Sequence, residues 1–108
     1  MVCKYHEVLD FVREYKLLDD LSDEDIKQYF DSFHHACKFD KEIHGIELDC
    51  DALEAVVDKT LEILDGSFEH EYTAPQIKEI ATAFCGVFDA AGAPKRPVPF
   101  IIVLLTRL

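Results

Sequence analysis

In one stretch of the chain the apolar residues recur so regularly that they fix the class of fold. Ile77, Ile80, Ala81, Phe84, Val87, Phe88 and Ala91 fall three and four apart, which stacks them on one face of an α-helix and scatters them over both faces of a strand. Thr73 with Gln76 three residues later has the pattern of a capping box at the start of this helix. Pro75 lies in the first turn, where a missing amide donor is harmless, and Gly92 ends the helix.

The same period recurs upstream. Tyr5, Val8, Leu9, Val12 and Tyr15 predict a helix from about Lys4 to Leu18, stopped at Asp19-Asp20, where acids near a C-terminus oppose the macrodipole. Ser22 opens a second helix, with Asp23, Glu24 and Asp25 at the positive end of its dipole. Its buried stripe is Ile26, Tyr29, Phe30, Phe33 and Cys37, fading at Phe39-Asp40. A third helix carries Leu53, Val56, Val57, Leu61 and Leu64, with Asp49 or Asp51 as its cap and Gly66 as its stop. Asp40 to Asp49 contains Gly45 and no helical period, so it reads as a loop with a short extended piece at Ile43 to Leu48.

Pro94 to Leu108 opens with three prolines in six residues and continues from Phe100 to Leu105 without a polar side chain. Periodicity does not separate helix from strand in so short a run, and the all-helical setting favours a helix. The expectation is one all-α domain over residues 1–108, a bundle of four main helices with a short apolar C-terminal helix or strand. A length of 108 residues, 49% of them hydrophobic and 31% charged, suits a single core and excludes intrinsic disorder.

Charge is the most informative part of the composition. The net charge is −11; residues through Gly66 carry 18 acids and 7 bases, and the rest carry 4 and 4. An acidic body of this kind repels nucleic-acid phosphates and anionic membranes, so neither is an expected partner. No apolar run approaches the roughly 18 residues of a spanning helix, and Lys4, His6, Glu7 and Asp10 stand where a secretion signal needs apolar residues. A cytoplasmic location is therefore expected, with Cys3, Cys37, Cys50 and Cys85 as free thiols.

Asp40 to Asp51 resembles the twelve-residue calcium loop of the EF-hand family. In that register Asp40, Glu42 and His44 take the first, third and fifth ligand positions, Gly45 the turn, Ile46 the backbone carbonyl and Asp51 the last ligand. Histidine replaces an oxygen ligand there, Glu47 occupies an apolar position, and Asp51 is shorter than the family's bidentate glutamate. His34 and Cys37 share a helix face in a zinc-like spacing, but no CxxC or HxxxH completes a set of four, so no metal or cofactor is expected. Without a GxSxG, a phosphate-binding glycine loop or an HExxH, the chain does not read as an enzyme.

What remains is binding. Asp19, Asp20, Asp23, Glu24 and Asp25, with Glu47, Asp49 and Asp51, form an acidic face suited to a basic protein partner. The expected role is a non-enzymatic regulator or inhibitor of the immunity, antitoxin, anti-activator or phage-inhibitor class. A calcium-responsive helical module and a structural adaptor are the alternatives. The apolar tail either enters the protein's own core or packs on a second copy, and a homodimer is the expectation, with Phe84, Phe88, Phe100, Ile102 and Leu104 at its contact.

Overall fold

The apolar tail folds as a helix, Pro97–Arg107, and that helix is the centre of the protein. The computed structural model describes residues 2–44 and 46–108, and among them there are six helices and no strand. In chain order they are α1 (Tyr5–Glu14), α2 (Asp23–Ser32), α3 (Ala36–Glu42), α4 (Glu54–Ser67), α5 (Ala74–Ala91) and α6 (Pro97–Arg107). α6 touches all five others, and every residue from Pro97 to Leu105 is buried. A helix apolar on all sides is stable only when enclosed on all sides, which decides both its conformation and its place. Pro97 and Pro99 fall in its first turn, where they disturb no intrahelical bond, and the Phe100 amide donates to the Arg96 carbonyl at 3.0 Å.

Several local signals act as the sequence implies. Ser22 Oγ accepts from the Asp25 amide at 3.1 Å, and Gln76 Oε1 accepts from the Thr73 amide at 2.9 Å. Gly92 takes the left-handed conformation that ends α5, with φ of 69°.

Other boundaries move, two of them because a residue other than glycine adopts a positive φ. α1 stops at Glu14 rather than Leu18, since Lys16 turns left-handed with φ of 56°. The Leu17 amide then reaches back to the Val12 carbonyl at 2.9 Å and the Lys16 amide to Arg13 at 3.2 Å, a Schellman closure without glycine. The expected second helix is two helices, broken between Phe33 and His35, where His35 has φ of 59°. The break lets Phe33, Ala36 and Phe39 all reach the core. At α4 the cap position falls to Leu53 rather than an aspartate, and Gly66 lies inside the last turn.

The cysteines correct the sequence reading outright. Cys3 is bonded to Cys37 and Cys50 to Cys85, leaving no free thiol. The first bridge ties the N-terminal segment to the short α3, and the second ties the segment before α4 to the middle of α5. Their sequence separations are 34 and 35 residues. Closing loops of that size restricts the unfolded chain by about 3–4 kcal/mol each in the loop-entropy model, a large share of the ~5–15 kcal/mol that holds a domain together.

Candidate protein-interaction site

The acidic residues divide between the two ends of α6. At its C-terminal end, Arg107 forms a two-pronged pair with Asp20, Nη1 to Oδ2 at 2.9 Å and Nη2 to Oδ1 at 3.0 Å. This holds the Asp20 carboxyl below its ordinary range and raises Arg107. Close by in the chain, Arg13 donates to the carbonyls of Leu18 and Leu21 at 2.6 and 2.7 Å and to Asp23 Oδ1 at 2.7 Å. The Tyr5 hydroxyl donates to the Asp23 carbonyl at 2.8 Å. Two of the five acids expected on this part of the surface, Asp20 and Asp23, are therefore bound by the chain's own arginines and shape the α1–α2 connection. Asp19, Glu24 and Asp25 are exposed and form no ion pair among the described residues.

Of the second group, Glu47 and the segment that carries it lie at the N-terminal end of α6. The Leu48 amide donates to the Lys95 carbonyl at 2.8 Å, and the Lys95 amide to Glu47 Oε1 at 3.3 Å. The Lys95 ammonium is held by Asp89, with Glu47 at 3.6 Å, and its pKa is raised by Asp89 first and Glu47 after it. Beyond Glu47, the carboxylates of Asp49, Asp51, Glu54 and Asp58 are all exposed, and none forms an ion pair among the described residues. Asp49 Oδ1 accepts from the Asp51 amide at 2.9 Å, which orders this corner. An 11-residue helix separates the Asp20 contact from the Glu47 contact by about 16 Å along its axis. They form two acidic poles rather than one acidic face.

Glu54 and Asp58 belong to a feature that the sequence reading did not include. Together with Val57 of α4 and Ala74, Pro75 and Lys78 of α5, they line a groove of about 370 Å³ whose exposed lining is mainly apolar. Its residues come from two segments, 54–58 and 74–78, that start twenty positions apart in the chain, so no local pattern reveals it.

The residues expected at a homodimer contact lie elsewhere. Phe88, Phe100, Ile102 and Leu104 are fully buried within the chain's own core, Phe88 against Phe100 with ring centroids 5.0 Å apart. Of the five, Phe84 alone retains partial exposure. Of the two fates open to the tail, burial in its own core is the one observed. The outward apolar surface of α5 is carried instead by Val87, 45% exposed, beside Ala83 and Ala90.

The calcium-loop register does not survive the fold. α3 runs through Glu42, so its first and third ligand positions are helical, and Asp40 is 1% exposed with its Oδ2 lacking a partner among the described residues. Burial raises the Asp40 pKa, against the lowering influence of Arg96. Gly45, the turn position of that register, lies outside the described residues. Cys37, the soft donor paired with His34 in the zinc-like spacing, is consumed by its bond to Cys3. Among the described residues no three His, Cys, Asp or Glu side chains converge as metal ligands. His34 instead borders a cleft of about 250 Å³ with Lys59 and Glu62, a pair 2.8 Å apart that lowers the Glu62 pKa.

The chain matches no protein-family model, no curated protein and no solved structure. No helix among the described residues is long and apolar enough to cross a membrane.

Proposed function

We propose that the protein is a non-enzymatic regulator or inhibitor that binds a basic protein surface stoichiometrically, through the exposed acids between Glu47 and Asp58. The observation that carries this reading is the run of exposed carboxylates at Asp49, Asp51, Glu54 and Asp58, none of which forms an ion pair among the described residues. They face solvent unpaired, whereas Asp20 and Asp23 are bound by arginines of the same chain. Such a field raises the association rate of a cationic partner and is weakened by salt. The two disulfides favour an oxidising compartment as the working location, in place of the cytoplasmic one.

Affinity capture from the native host extract at low and at moderate salt, with mass spectrometry of the eluate, tests the reading. A single basic protein, retained in a 1:1 ratio and released by salt, is the expected result. The variant Asp49→Asn/Asp51→Asn should retain less of it with an unchanged circular dichroism spectrum. Capture that is indifferent to both salt and these substitutions would remove the basis for the assignment.

A further inference from the structure

We infer that the groove between α4 and α5 is the seat for an arginine side chain presented by a basic partner segment. This rests on the proposed function and specifies where that binding is anchored. Its apolar lining is the buried Val57 with the exposed Ala74 and Pro75, and Glu54 and Asp58 line it alongside them. Those two acids are four residues apart on α4, hence neighbours on one side of the helix. Neither has an ion-pair partner among the described residues. Glu54 opens α4, where the helix dipole already engages a carboxylate, so Asp58, one turn further on, offers the less committed charge.

An apolar trough ending in carboxylates matches one kind of side chain closely. Arginine has an aliphatic stem that covers apolar surface and a weakly hydrated planar cation that stacks and pairs with carboxylates. An anionic occupant is disfavoured twice. Pro75 has no amide proton to offer, and the Thr73 amide is already bound by Gln76. A second copy of the chain is disfavoured too, since it brings a net charge of −11 against the same sign. Its three arginines are also engaged: Arg13 and Arg107 as described, and Arg96 in an interaction of its own. Lys78 stands on the rim as the one internal cation, a weak competitor for the same carboxylates.

The test is a titration of the intact, oxidised protein with a hexa-arginine peptide at low salt, followed by amide chemical shifts and by calorimetry. The largest shifts are expected at residues 54–58 and 74–78. Glu54→Gln/Asp58→Asn should weaken binding about tenfold or more, and Lys78→Ala should strengthen it a few-fold. The charge-matched control Asp19→Asn/Asp25→Asn should change it less than twofold. If the double variant and the control weaken binding equally, the attraction is general and the groove is not the seat. If the shifts fall at residues 19–25 instead, the groove inference fails while the proposed function stands. If no residue shifts at low salt, both fail.

Discussion

The two ends of α6 carry similar numbers of acids and use them differently. At the Arg107 end, two of the five carboxylates close the fold. Asp20 fixes the C-terminal turn of the central helix to the α1–α2 connection, and Asp23 is gathered in by Arg13. At the Lys95 end, one lysine draws in Glu47 and Asp89, and of the next four acids along the chain, all left to solvent, Glu54 and Asp58 line an apolar groove. Formal charge is thus a poor guide to available charge. What a partner meets is the residue of acids that the chain's own cations have not taken.

The largest effect should come from cutting the axis that joins the two poles. Ile102→Asp places a carboxylate at a fully buried position of α6 and should cost more than about 4 kcal/mol, enough to unfold the domain. Loss of the helical circular dichroism signal checks it. A variant that stays folded would show that the poles are organised independently of α6. Next is Cys50→Ser/Cys85→Ser. Cys50 lies between Asp49 and Asp51, so this bridge anchors the Lys95 pole to α5. A loss of about 3–4 kcal/mol is expected in urea unfolding, with hydrogen exchange rising first at residues 46–53. Equal acceleration around residues 16–25 would mean that the poles are not separately held.

Asp40 tests the ground between them. Its folded pKa is raised, so the folded state binds the proton more tightly than the unfolded chain does. Stability is then lost as pH rises from the ordinary value of 3.8 through the folded one. Asp40→Asn should therefore raise the melting temperature at pH 7, and the gain should vanish in acid below that value. A gain independent of pH would point to packing instead of charge. The smallest effect belongs to Asp20, whose folded pKa is lowered by Arg107. Its contribution is present above 3.8 and lost as pH falls through the folded value. Asp20→Asn should lower the melting temperature slightly at pH 7 and flatten the acid limb of the stability curve. An unchanged acid limb would mean that the pair contributes nothing to the Arg107 end.

Much of this fold is legible in the sequence where the signal is local. Ser22 with the acids after it, Thr73 with Gln76, and Gly92 each act within one helical turn, and each does what its chemistry implies. Lys16 and His35 are illegible because a side chain other than glycine takes a left-handed turn only when the packing around it compels it, here the burial of Leu17, Phe33 and Ala36. The disulfides are illegible for a different reason. Four cysteines permit three pairings, and nothing near Cys3 in the chain singles out Cys37. The same limit hides the groove, which depends on how Pro75 comes to lie near Val57.

The position of α6 also sets an order in time. Translation makes this helix after the other five, so until residues 97–107 have left the ribosome the stripes of α1, α2, α3, α4 and α5 have no common centre to close on. Both bridges join cysteines that are synthesised earlier, so they can form, and can form wrongly, while the centre is still missing. The domain is built to mature only once α6 has emerged, and an oxidase that acts before then would meet four thiols without the central helix to help choose their partners.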